Sequence, residues 1–190
     1  MRRHSSVTFI SVILLLGHVL LIGQTSSNES INVNDVKIIR NLDQNILFNL
    51  TDSSVCAFLN SNSPDSIVFY YNEIENEGAR KFHYGILFLD IGSMTPEDTC
   101  KFISFDIQGP DLEICVRDVI NIQVGMDMND IKAQFGNAEL NTDKVFIDFW
   151  TNEVYGTTIP LNYNGVLLDT YLLIFHDIET ELVLRIAYGY

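Results

Sequence analysis

Three constellations in this chain hold residue types that could do chemistry. His176-Asp177 sets an imidazole beside a carboxylate, the base and orienting acid that a hydroxyl nucleophile requires. No Gly-x-Ser-x-Gly elbow exists to present that nucleophile. Cys56 and His83 have the types of a thiol–imidazole pair, yet no flanking sequence supports one. Asp127-Met128-Asn129-Asp130 begins like a calcium loop, which then needs glycine at its sixth position and glutamate at its twelfth. Lys132 and Ala138 stand there, so the acids read as the start of a helix, where the dipole favours them. The cysteines Cys56, Cys100 and Cys115 are too few for a structural zinc site, and no glycine-rich phosphate loop occurs. Neither a metal nor a cofactor is expected.

Asp90-Ile91-Gly92-Ser93, after an apolar run, is similar to the Asp-Thr-Gly-Ser loop of pepsin-like aspartic proteases. Ile91 stands where that family places a hydroxyl residue, and the family needs a second such aspartate. Leu168-Asp169-Thr170-Tyr171 lacks the glycine that lets that loop turn. A strand ending in a Gly-Ser turn is the reading that remains.

Residues that recognise a partner are easier to find than residues that transform one. Glu73, Glu75 and Glu77 crowd one predicted turn, with further acids at Glu97-Asp98 and at Asp177, Glu179 and Glu181. Such a field steers a basic partner in a salt-sensitive way. Trp150 and Tyr155 bracket the best loop for an aromatic patch, because Tyr and Trp give large contact area at low entropic cost.

The elements that must carry these residues are strands. Period-two alternation marks 101–108, 112–117, 120–124 and 145–150, and further strands are expected at 36–40, 45–50, 54–60, 66–72, 82–91, 154–159, 166–175 and 182–188. Residues 66–92 read as one long hairpin with its acidic tip at 73–78. Helix is expected as a single turn at Thr95-Pro96-Glu97-Asp98 and as one short helix near 128–136, closed by Gly136-Asn137. The fold class is therefore all-β, an antiparallel β-sandwich, with a closed barrel as the alternative.

The N-terminus reads as an address. A basic start, an apolar run over 7–22 and small residues at 23–27 predict a signal peptide of residues 1–23, cut between 23 and 27. A polar arm, 24–34, and a single β domain, 35–190, would follow. Removal of 1–23 takes Arg2 and Arg3 and leaves nine cations against 25 anions, a net charge of −16. That balance excludes nucleic acid as a partner. No later apolar stretch is long enough to span a membrane as a helix. The sequons at Asn28 and Asn49 predict glycosylation. In an oxidising compartment three cysteines imply one bridge and one spare thiol, so a disulfide-linked dimer is open to the chain. Cys100–Cys115 is preferred because the flanking segments read as neighbouring strands.

The functional expectation is a secreted acidic glycoprotein acting as a non-catalytic binding module for an extracellular, basic protein. A lipocalin-like carrier of a small apolar ligand is the alternative, although the Gly-x-Trp of the first lipocalin strand is absent. A secreted hydrolase ranks third.

Overall fold

A computed structural model describes residues 30–72, 77–92, 100–135, 140–146 and 153–189. The leader, Asn28, Glu73, Glu75, Ser93, the expected turn at 95–98 and Trp150 lie outside those residues. Thirteen strands and two helices follow one another as β1 (Ile31–Asn32), β2 (Val36–Arg40), β3 (Asn45–Asn49), α1 (Asp52–Ser61), β4 (Ser66–Asn72), β5 (Glu77–Tyr84), β6 (Leu87–Gly92), β7 (Lys101–Ile107), β8 (Leu112–Val116), β9 (Ile120–Gln123), α2 (Met128–Phe135), β10 (Asn141–Phe146), β11 (Glu153–Tyr163), β12 (Val166–Asp177) and β13 (Val183–Gly189).

The strands form two sheets. The large sheet runs β1-β11-β12-β13-β7-β6-β5-β4, with β10 also on β11, and the small sheet runs β3-β2-β8-β9. All neighbours are antiparallel except β1, which lies parallel to β11 with Ile31 opposite Leu161. Alternation explains the layering. Leu87, Leu89 and Ile91 of β6 and Phe105 and Ile107 of β7 turn one face of the large sheet inward. Val36, Ile38, Ile114 and Ile122 do the same from the small sheet, and all belong to one buried cluster. Each such side chain, fully removed from water, stabilises by about 1.5–3 kcal/mol. Among the described strands neither sheet closes on itself, so the molecule is a sandwich and the barrel alternative is set aside.

α2 forms where the Asp-rich start and the Ile131–Phe135 spacing place it, with Met128, Ile131 and Phe135 buried. α1 corrects an expected strand at 54–60. Thr51 caps it, accepting a hydrogen bond from the Ser54 amide, and Val55 and Phe58 form its buried stripe. The expected hairpin over 66–92 is a three-strand meander, because Gly85 adopts φ +59° and lets the chain turn a second time between β5 and β6. Ordered structure also starts before residue 35, since Ile31 and Val33 of the expected polar arm are buried.

The disulfide joins Cys56 of α1 to Cys100, and not Cys100 to Cys115. The turn at Gly109-Pro110 carries the chain from the large sheet to the small one, so β7 and β8 never pair and their cysteines belong to different layers. Cys115 is free and buried, its thiol pushed up by burial. A thiol so placed is not presented to a second chain.

Candidate binding edge

β4 is the outermost strand of the large sheet, and among the described residues its only ladder is with β5, from Ser66 opposite His83 to Asn72 opposite Glu77. Its sequence, Ser-Ile-Val-Phe-Tyr-Tyr-Asn, is rich in β-branched and aromatic residues and forms a strand for that reason. Four consecutive side chains face solvent: Ile67 at 44%, Val68 at 47%, Phe69 at 67% and Tyr70 at 40% exposure. Because successive residues point to opposite faces, both sides of the edge are apolar. Native edges are usually blunted by a lysine, a proline or a bulge. β4 has no proline and no charge, and its register with β5 is unbroken.

The edge is held firmly from behind. Ser66 Oγ lies 2.9 Å from His83 Nδ1, whose ring packs edge-on against Phe88. Asp65 accepts a 2.6 Å hydrogen bond from the Gly85 amide and donates its own amide to the His83 carbonyl. Tyr70 is held well above the usual phenol range by burial and by the Asp90 charge beside it. Asp90 in turn accepts from Ser104 Oγ at 2.6 Å and stands 3.7 Å from Lys81 Nζ. The protease-like aspartate is thus a bracing residue of β6. Asp169 sits on β12, with β13 and β7 between the two strands, so the two carboxylates are not brought together.

Of the residues expected to meet a partner, Glu77 and Tyr155 fall within the described part, Glu77 for the acidic tip and Tyr155 for the aromatic loop. Glu77 opens β5 opposite Asn72, next to the bare edge. Tyr155 lies on β11, with β12, β13, β7 and β6 standing between it and β5. Its ring rests 5.5 Å from that of His176. The third acidic cluster is largely spent on internal bonds. Asp177 Oδ1 accepts from the amides of Glu179 and Thr180, and Glu181 turns toward His176.

His176 is completely buried, and its partner is Glu181 and not Asp177. Nδ1 stands 3.1 Å from Glu181 Oε2, which also lies 3.8 Å from Lys132 Nζ. Nε2 meets Thr157 Oγ1 at 3.3 Å, and Thr157 meets Thr142 at 2.9 Å. Burial drives the imidazole below its ordinary range, against the pull of Glu181. An imidazole, a carboxylate and a hydroxyl thus lie close together, with Thr157 and His176 both buried, but among the described residues His176 Nδ1 and Glu181 Oε2 have no hydrogen-bond partner. Among the described residues no group of three or more His, Cys, Asp or Glu is placed to hold a metal.

Asn49 ends β3, and its Oδ1 accepts a 2.6 Å hydrogen bond from Thr51 Oγ1, the hydroxyl of its own sequon. The exposed apolar edge was the feature that composition could not locate. The signal was present in 66–72, an apolar run without alternation, but its place at the end of a sheet is a property of topology. No protein-family model, curated protein or solved structure matches this chain.

Proposed function

We propose that the chain is a secreted acidic glycoprotein that acts as a non-catalytic binding module for a basic extracellular protein. The observation that carries this reading is the disposition of its charges. Lys37, Arg40, Lys81, Lys132 and Arg185 are each held by a carboxylate, namely Asp118, Asp43, Asp90, Glu181 and Asp106. Arg185 is gripped by both oxygens of Asp106, with contacts of 2.7 and 2.5 Å. With 25 acids against 11 cations the chain carries a net charge of −14, and such a negative field speeds association with a basic partner. The Cys56–Cys100 bridge supports an oxidising compartment.

The test is association with a lysine-rich peptide followed by surface plasmon resonance at rising ionic strength. The association rate should fall steeply as salt rises from low values to about 150 mM, where screening acts within about 8 Å. Binding that ignores salt, or no binding of any basic probe, removes the electrostatic reading.

A further inference from the structure

We propose that β4 captures its basic partner by strand addition, taking an extended segment antiparallel to itself as the next strand of the large sheet; this rests on the function proposed above. Along Ser66–Asn72 alternate residues turn their backbone donors and acceptors away from β5, on a side that no described strand uses. Main-chain bonds of this kind give affinity in strand addition, and alternate side chains give specificity. Ile67 and Phe69 line one face and Val68 and Tyr70 the other, so an incoming strand meets apolar neighbours on both sides.

Charge selects the occupant. β4 itself is neutral, but Asp65 precedes it, exposed, and Glu77 stands opposite its far end. Of the nearby cations Lys81 pairs with Asp90, and Arg80, whose guanidinium lies over the Phe82 ring opposite Phe69, balances one acid, so the two ends of the edge stay acidic while its centre does not. A matching segment has an apolar centre and Lys or Arg at both ends. A second copy of the chain fits less well. Antiparallel pairing of two β4 strands about Phe69 sets Ser66 against Asn72 of the other copy, which brings Asp65 toward the acidic end of its neighbour.

Two synthetic peptides of equal charge test the inference against the full secreted chain, Lys-Arg-Val-Thr-Val-Thr-Val-Lys-Arg and Lys-Arg-Gly-Ser-Gly-Ser-Gly-Lys-Arg. Calorimetry at about 150 mM salt should show the first binding at least about tenfold tighter. The deciding variant is Phe69→Glu. If attraction were purely electrostatic, an added acid would tighten both peptides. Strand addition instead predicts a loss of about tenfold or more for the valine peptide, with Val68→Glu on the opposite face behaving alike. Leu42→Glu, at an 89% exposed position in the β2–β3 turn, adds the same charge elsewhere and should preserve the preference. Equal binding of the two peptides, or tighter binding by Phe69→Glu, overturns strand addition and leaves the electrostatic function standing. Failure of the wild type to bind either peptide overturns both. A peptide-free dimer by light scattering that Phe69→Glu turns into a monomer overturns the choice of occupant.

Discussion

Removing Cys56 should cost the protein a large part of its stability, and removing Cys115 should not. The Cys56–Cys100 bridge spans a sequence separation of 44 and fastens α1 to the start of β7, with the β4–β6 meander inside the loop. Chain-entropy arguments put the constraint on the unfolded state at about 4 kcal/mol for a loop of that size. Domains are typically stable by only about 5–15 kcal/mol, so the loss is severe. Urea unfolding of Cys56→Ala, read by circular dichroism, should show the midpoint falling on the order of 1–4 M, given slopes of about 1–3 kcal/mol/M. Cys115→Ala removes one buried sulfur and should cost less than about 1.5 kcal/mol. A linked peptide containing Cys115 in a non-reducing digest, or a larger loss for Cys115→Ala than for Cys56→Ala, would refute the pairing and the account of α1 with it.

Stability should also respond to acid through His176. Its imidazole is lowered by burial, so the folded chain binds that proton less readily than the unfolded chain. The contribution is complete above the ordinary imidazole value of about 6.5 and is lost as pH falls below it. Urea midpoints at pH 7.5 and pH 5 should diverge in the wild type and converge in His176→Gln; an unchanged gap assigns the effect elsewhere. Phe105→Ala empties a site that is 1% exposed where the two sheets meet, and chemical denaturation should register a loss of about 3–5 kcal/mol. Glycosylation at Asn49 predicts that enzymatic deglycosylation of the secreted protein lowers its mass, and that Asn49→Gln removes part of that shift. Secreted wild type and Asn49→Gln of equal glycan mass exclude the site.

Most strands could be read from the sequence because alternation is a local property: β2 and β4 were expected at the bounds they occupy, and β8, β9 and β13 within a residue or so of theirs. α1 stands where a strand is expected, although its helical signs are visible in the sequence. Thr51 is a capping residue, Asp52 suits a first turn, and Val55, Phe58 and Leu59 recur at helical spacing. Four apolar residues in the run 55–58 outweighed those signs. The Cys56–Cys100 bridge is hidden for the same reason, because strand alternation around Cys100 and Cys115 points to neighbouring strands that the fold keeps in different sheets. β8 shows a different limit. Glu113 and Cys115 alternate with apolar residues as if solvent-facing, yet both are buried, and Glu113 Oε1 has no hydrogen-bond partner. Which outer faces a fold covers is decided by its whole topology.

The parallel pairing of β1 with β11 has a consequence for biosynthesis. Ser30 is held by the Asn162 side chain at 2.9 and 3.0 Å, across 132 positions of sequence. At about 5–20 residues per second, the partner of the first strand emerges some 7–26 s after it. Ile31 and Val33, both buried in the folded chain, spend that interval without the strand that β1 pairs with. β1 thus waits for a partner made long after it, and this edge of the large sheet forms only once Leu161 and Asn162 have been synthesised.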